Sequence, residues 1–271
     1  MLLLYFTIAR VSATRYLKLR PCYDRCFFGI IVWQKGKIFM NKRKIRLIVP
    51  LAVLIVLVLV CVVYLSDYYP AAEDEGVFGN VMLTTEDGLM YFDGPGEDSA
   101  LIFYPGGKVE YSAYTSLMNR IAESGTDCFL VDMPANLAFF GVDKADEIID
   151  SYNYAKWFIG GHSLGGVAAS MYAGDHDLDG LILLASYPTE EIDEPVLSVY
   201  GSEDGVLDME KYEEAKDLLP EEHTEVIIAG GNHAQFGDYG EQDGDGIATI
   251  SADEQQDATA NAIIEFIGAK N

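Results

Sequence analysis

A pentad in the sequence has the spacing of a catalytic serine turn. Residues 161–165 read Gly-His-Ser-Leu-Gly, a G-x-S-x-G match centred on Ser163. The pentad follows an apolar run at 157–159 and precedes small and apolar residues at 164–173. A strand that turns sharply into a helix projects the serine hydroxyl from the carboxyl edge of a sheet. The pattern predicts that Ser163 is a nucleophile; the alternative is an ordinary turn whose serine has no catalytic role.

A serine hydroxyl needs a general base that accepts its proton. His233 lies in a glycine-rich stretch directly after a predicted strand at 225–228, which places it at the same carboxyl edge as the nucleophile. His223 precedes that strand and so belongs to the opposite edge, whereas His162 is expected to pack beside the nucleophile and His176 to be solvated. His233 is therefore the predicted base; the alternative is a histidine that only shapes its loop.

The base in turn needs a carboxylate that orients its ring. A predicted strand at 196–200 ends in Gly-Ser-Glu-Asp-Gly, which offers Glu203 and Asp204 in the chain order Ser, acid, His. The position of Asp204 just beyond the strand favours it, with Glu203 as the alternative. Asp208 is interpreted as the cap of the following helix.

Acyl transfer also needs backbone donors that stabilise an oxyanion. The amide of Leu164, directly after the nucleophile, is the first candidate. The second is expected in the Pro-Gly-Gly-Lys stretch after a predicted strand at 101–104, from the amide of Gly107 or Lys108. The alternative for this stretch is an ordinary Pro-Gly turn.

The elements that must position these residues alternate between strand and helix patterns from about residue 80 onward. Further strands are predicted at 128–131 and 181–185, and a hairpin is predicted from 81–84 and 89–92. Helical spacing is found at 111–124, 144–155, 164–173, 207–219 and 253–268. Such alternation predicts an α/β fold with a mostly parallel, doubly wound sheet covered on both faces.

An apolar stretch at 48–66 precedes these elements and is long enough to cross a bilayer. Four basic residues between 42 and 46 come just before it, so the positive-inside rule predicts a cytoplasmic segment at 1–47 and an extracytoplasmic remainder. The sequence thus predicts a single-pass anchor in the cell membrane. The rival interpretation is a cleaved signal peptide, although no clear cleavage site precedes Ser66.

Residues 1–39 are basic, aromatic and without pattern. The basic cluster that starts directly after Met40 favours translation from Met40, which would leave 1–39 untranslated. The alternative is a genuine cytoplasmic tail.

The charge of the chain changes sign after the apolar stretch. Residues 67–271 contain seven basic and 42 acidic residues, a formal net charge of −35. Such a surface repels phosphates, so nucleic acid is excluded as a partner. We interpret 67–78 as an acidic tether and 79–271 as the catalytic domain.

The motifs together resemble the α/β-hydrolase superfamily, and within it the compact bacterial group called the α/β-hydrolase fold-5 group. The likeness covers about residues 79–268 and is carried by five ordered stretches, at 104–109, 134–138, 160–166, 200–204 and 231–236. It implies the hydrolase fold, a triad of Ser163, Asp204 and His233, and no cofactor.

The chain departs from many relatives of that group, which insert a lid where this sequence has only 186–194. We therefore expect a minimal lid or none, and an open site walled by Phe139, Phe140 and Phe236; the alternative is that these rings belong to the core. The loop 237–251 is rich in aspartate but lacks the spacing of a calcium loop, so no metal site is predicted.

The predicted function is that of a membrane-anchored, extracytoplasmic serine hydrolase. It would cleave a small-molecule carboxylic ester through an acyl-serine intermediate. Two alternatives remain at this point: a non-catalytic, membrane-tethered binding protein on a hydrolase scaffold, and an acyltransferase or peptidase that uses the same triad.

Overall fold

The computed structural model describes residues 42–72, 79–221 and 223–269. The chain divides between Leu51 and Ala52 into two units. In the first unit the described residues are helical, and the second unit contains every strand that the structure describes. The hypothesis about translation from Met40 lies outside the described residues.

The first helix, α1, runs from Lys42 to Ser66 and contains Pro50. Its stretch Arg46–Ser66 is 21 residues long and apolar enough to cross a membrane, by length and composition alone. At 1.5 Å per residue it would span about 30 Å, the thickness of a bilayer's hydrocarbon core. Its large apolar side chains, such as Leu54 and Val58, are exposed.

The part of the chain that the structure describes forms one eight-stranded sheet in the order β1-β2-β4-β3-β5-β6-β7-β8. The first two strands form an antiparallel hairpin, β2 also pairs antiparallel with β4, and all other pairs are parallel. The predicted mostly parallel α/β sheet is thereby confirmed. The strands are β1 Met82–Glu86, β2 Leu89–Asp93, β3 Ser99–Tyr104, β4 Thr126–Val131, β5 Lys156–His162, β6 Gly180–Leu184, β7 Val196–Gly201 and β8 Thr224–Ile228.

Helices cover both faces of this sheet. The remaining α-helices among the described residues are α2 Thr115–Ala122, α3 Lys144–Ser151, α4 Leu164–Asp175, α5 Met209–Ala215 and α6 Ala252–Gly268. One core layer contains Leu117 of α2 and Ile263 of α6, and the other contains Ile148 of α3 and Ala168 of α4. In β3 alternate residues enter opposite layers, and all six are buried. Burial on both faces explains the continuous apolar runs of the central strands.

Three predicted helices are shorter than their apolar spacing indicated, and the one predicted at 144–155 ends at Ser151. The pattern at 111–124 is divided into a 3-10 turn, Tyr111–Tyr114, and α2. The pattern at 207–219 becomes α5 followed by the 3-10 turn Lys216–Leu218, and the side chain of Asp208 caps α5 as predicted, accepting from the Lys211 amide. Apolar spacing alone does not separate a 3-10 turn from a short α-helix.

The connection between β6 and β7, residues 185–195, contains neither helix nor strand. It is therefore too short to form a lid domain over the carboxyl edge of the sheet.

The segment directly after α1 packs on the domain instead of standing apart from it. Tyr69 forms a parallel bridge with Val109, its amide donates to the Lys108 carbonyl at 2.7 Å, and the Ala72 amide donates to the Asp238 carbonyl at 2.6 Å. Residues 67–72, half of the predicted tether, thus hold specific contacts. The other half, 73–78, lies outside the described residues.

Candidate active site

Ser163 lies in the sharp turn between β5 and α4. Its backbone has φ +52° and ψ −121°, a region that residues other than glycine rarely adopt. The turn is tight enough that a Cβ on Gly161 would lie 2.4 Å from the carbonyl carbon of Gly165. The glycines of the pentad are needed because strand and helix approach so closely. The half-buried Ser163 is therefore held at the carboxyl edge of the sheet.

The loops after β7 and β8 bring Asp204 and His233 into contact. Their side chains are each 1% exposed, and Nδ1 of His233 lies 2.9 Å from Oδ2 of Asp204. The other carboxylate oxygen of Asp204 accepts the amides of Val206 at 2.9 Å and Leu207 at 2.8 Å. Since these amides fix one oxygen, the second is directed at the imidazole. Nδ1 then donates its proton to Asp204, and Nε2 is the nitrogen with a free lone pair.

Nε2 of His233 is buried and has no hydrogen-bond partner among the residues that the structure describes. The hydroxyl of Ser163 is thus not hydrogen-bonded to it in this conformation. The ring of His233 lies against His162, the residue directly before Ser163, with 4.5 Å between ring centroids. Nucleophile–base hydrogen bonds are often long in free enzymes and shorten only when substrate binds.

The rival acid and bases are engaged elsewhere. The exposed carboxylate of Glu203 accepts from the Ser202 hydroxyl at 3.1 Å. Nδ1 of His223 lies 3.1 Å from the Pro220 carbonyl oxygen, at the start of β8. His176 stacks on the Tyr172 ring at the far end of α4. The structure brings none of these side chains to Asp204 or His233.

A buried tyrosine that the sequence did not single out connects the loop after β3 to the serine turn. The hydroxyl oxygen of Tyr114 accepts the Gly106 amide at 3.0 Å and lies 2.8 Å from Nδ1 of His162. The tautomer of His162 decides whether the hydroxyl or Nδ1 is the donor in this second contact. Burial, with a contribution from His233, lowers the pKa of His162 well below its usual value, so the ring stays neutral.

Three consecutive amides in the loop after β3 have different partners. The Gly106 amide donates to Tyr114, and the Lys108 amide donates to the Asn136 carbonyl at 2.7 Å. The Gly107 amide between them has no acceptor within the described residues, and neither has the amide of Leu164. A Cβ on Gly107 would lie 2.8 Å from Cδ2 of Leu164, so these two residues are in contact. Of the two alternatives for the second oxyanion donor, this geometry favours Gly107 over Lys108.

The three aromatic residues expected to wall the site have different surroundings. Phe139 and Phe140 are 46% and 63% exposed, in a 3-10 turn after β4. Phe236 is fully buried, and its ring centroid lies 5.4 Å from that of His162. Phe236 therefore packs against His162 from within the core, and of these three rings only the first two are open to a ligand.

Comparisons with known proteins agree with this architecture. The chain resembles several solved structures at low identity. They include TT1662 from Thermus thermophilus, with 14% identity, a TM-score of 0.53, and 71% of this chain and 98% of that chain covered. MGS-MChE2, an alpha/beta hydrolase from a lagoon-sediment metagenome, has 15% identity and a TM-score of 0.53 over 70% of this chain and 99% of its own. The dienelactone hydrolase from Anabaena variabilis has 15% identity and a TM-score of 0.53 with the same coverage.

At these identities the solved structures establish the fold alone. No curated protein is significantly similar to the chain in sequence. Residues 100–257, however, match the family described as the alpha/beta hydrolase family. That stretch is more than half of the chain and includes Ser163, Asp204 and His233. The protein therefore belongs to the alpha/beta hydrolase family.

Proposed function

We propose that this member of the family is a serine hydrolase that cleaves carboxylic esters through an acyl-serine intermediate. One observation carries the proposal: the strained turn holds Ser163 next to His162, whose ring packs on a histidine already bonded to a buried aspartate. Strained backbone of this kind clusters at active sites and ligand-binding sites. The arrangement fits the roles of nucleophile, base and orienting acid.

In the proposed mechanism, Nε2 of His233 accepts the proton of the Ser163 hydroxyl as Oγ attacks the ester carbonyl. The oxyanion that forms is stabilised by the amides of Leu164 and Gly107. His233 then donates the proton to the departing alcohol, and a new ester joins the acyl group to Ser163. Water, deprotonated by the same nitrogen, attacks this ester, releases the acid and restores the serine.

Asp204 acts through His233 in this scheme. Its hydrogen bond to Nδ1 keeps the basic nitrogen directed toward the serine, and its charge stabilises the imidazolium that forms in each half-reaction. Phe139 and Phe140, both exposed beyond the carboxyl edge, are proposed to contact the acyl or alcohol group of a small-molecule ester.

The test is labelling with a fluorophosphonate probe, followed by a panel of ester and amide substrates. We expect covalent labelling of the wild type and none of a folded Ser163→Ala variant. Asp204→Asn should reduce turnover strongly, because it misdirects the imidazole, whereas Glu203→Gln is the matched control and should be mild. Equal labelling of wild type and Ser163→Ala would refute the serine mechanism. Absence of any labelling would favour a non-catalytic binding protein, and transfer to amines or cleavage of peptides would redirect the assignment to the other alternative.

We also propose that α1 anchors this domain to the cell membrane by a single pass, with the active site outside the cytoplasm. The proposed division is a cytoplasmic segment at 1–47, an anchor at 48–66, a linking segment at 67–78 and the hydrolase domain at 79–271. The exposed apolar surface of Arg46–Ser66 and the basic residues before it support this arrangement. Protease added to intact spheroplasts should digest the domain. Protection that is lost only on lysis would place the domain in the cytoplasm.

A further inference from the structure

Asp245 lies in the loop between β8 and α6, outside the residues assigned to the reaction. Its carboxylate accepts four backbone amides. Oδ1 accepts from Gly205 at 3.1 Å, His233 at 3.2 Å and Gly246 at 2.7 Å, and Oδ2 accepts from Ala234 at 2.8 Å. One of these amides follows Asp204 directly, and two belong to His233 and its neighbour. A single carboxylate thus joins the loop that carries the acid to the loop that carries the base.

The backbone around Asp245 is packed closely between these two loops. A Cβ on Gly246 would lie 1.7 Å from the Glu203 carbonyl oxygen, so no larger residue fits there without a shift. On the other side, the Asn232 side chain donates to the Gly246 carbonyl at 2.9 Å. The segment around Asp245 is therefore in contact with the residues just before both Asp204 and His233.

We infer that Asp245 is a positioning residue, which sets the distance and orientation between Asp204 and His233. The inference rests on the proposed serine mechanism. Hydrogen bonds from amides to an ionised carboxylate are about twice as strong as those between neutral groups. They hold the two loops at points adjacent to the reacting pair. The 2.9 Å bond between His233 and Asp204 depends on this spacing, since each side chain extends from a loop that Asp245 restrains.

The aspartates of this loop resemble a cation site only in sequence. Both oxygens of Asp245 are occupied by amides, and Asp238 accepts from the Gln256 side chain at 2.8 Å. The described contacts therefore assign Asp245 to the protein's own backbone. Its closest functional neighbours are the acid and the base.

The test compares Asp245→Asn with Asp243→Asn, an exposed aspartate two residues earlier in the same loop. The side-chain amide of the new asparagine offers one acceptor oxygen instead of two, and its NH₂ group would face backbone N–H donors. We expect Asp245→Asn to lower kcat on the order of 10–100-fold with little change in KM, as for small displacements of catalytic groups. Asp243→Asn should match the wild type. Both variants are measured in the full-length protein in detergent, alongside thermal unfolding.

A double-mutant cycle separates positioning from a purely structural role. If Asp245 acts through the Asp204–His233 pair, Asp245→Asn should cost less than about threefold in an Asp204→Asn background. An equal loss in both backgrounds would overturn the inference. If Asp245→Asn does not fold, the same cycle is run with Asp245→Glu, which keeps the charge but displaces it by one methylene.

A spectroscopic measurement keeps this test independent of the serine mechanism. The proton shared by His233 and Asp204 should give a downfield proton NMR signal in the wild type, absent from His233→Ala. We expect Asp245→Asn to shift or broaden it and Asp243→Asn to leave it unchanged. An unchanged signal in a folded Asp245→Asn protein would overturn the inference even if Ser163 proved inactive. A wild type without activity or labelling would refute the proposed function alone.

Discussion

Replacing Tyr114 with phenylalanine removes one oxygen atom from the buried connection between the loop after β3 and the serine turn. The hydroxyl is the acceptor for the Gly106 amide at 3.0 Å and the partner of Nδ1 of His162 at 2.8 Å. Tyr114, Gly106 and His162 are all buried, so water cannot replace the lost hydroxyl without a rearrangement. The variant therefore leaves two buried polar atoms without partners.

The expected cost follows from those two atoms. Each buried donor or acceptor left unsatisfied costs about 1–3 kcal/mol, so Tyr114→Phe should lower the free energy of unfolding by about 2–6 kcal/mol. For a domain of this size, that corresponds to a fall in Tm of about 4–24 °C. Because Gly106 precedes the proposed oxyanion donor, the loop should also become less well ordered. We expect kcat on an ester to fall on the order of tenfold.

Tyr111→Phe is the matched control for this experiment. Tyr111 occupies the same 3-10 turn and is half-buried, but its hydroxyl has no hydrogen-bond partner within the described residues. Thermal unfolding and the rate of fluorophosphonate labelling would be measured for both variants under one set of conditions. If the two variants unfold within about 0.5 kcal/mol of each other, the connection through Tyr114 contributes nothing and the reasoning is refuted.

Three further predictions concern the reaction, the pH dependence of stability and the segment after α1. Ser163→Ala and His233→Ala should each reduce turnover by about 10⁴-fold or more, and the double variant should be little worse. If the kcat of the double variant instead falls by the product of the two single losses, the two residues do not act together. Burial and the nearby His233 lower the pKa of His162 from 6.5, so the unfolded chain binds more protons near that pH. The stability contribution of His162 is complete above about pH 6.5, and it falls by up to about 1.4 kcal/mol for each pH unit below that. In urea unfolding, the stability of His162→Gln should therefore depend less on pH than that of the wild type. Tyr69→Ala should lower the free energy of unfolding by about 1–3 kcal/mol because its ring packs 5.7 Å from that of Tyr239. The exposed Tyr68→Ala should have little effect, and equal losses for these two variants would exclude a specific contact.

The order and type of the main elements could be predicted from the sequence because they depend on short-range patterns. The apolar run predicted at 181–185 is observed as Gly180–Leu184, and that predicted at 196–200 as Val196–Gly201. The central strands of the sheet, such as β3 and β6, are buried along their whole length and therefore read as apolar segments. The pentad around Ser163 is also a short-range pattern, because its glycines are required by a turn of only five residues.

The candidate base and acid could be named from the order of strand ends along the chain. Asp204 and His233 lie in the loops that follow β7 and β8, and strands of a parallel sheet bring their carboxyl ends to one edge. The sequence separates Asp204 from Glu203 only by position, because adjacent residues in a loop differ chiefly in where their side chains point. The structure places the Asp204 carboxylate on the imidazole and leaves that of Glu203 exposed.

The remaining features of the site depend on contacts between residues far apart in the chain. Tyr114 is 48 residues from His162, and Asp245 is 40 residues from Gly205. The sequence shows Tyr114 as one apolar position of a helix and Asp245 as one of many acidic residues. Which polar atoms they contact is decided only when distant loops meet at the edge of the sheet. Local patterns specify which elements form, whereas the hydrogen-bond partners of a buried hydroxyl or carboxylate depend on the packing of the whole domain. A buried polar group must form its hydrogen bonds with whatever group the fold brings within about 3 Å.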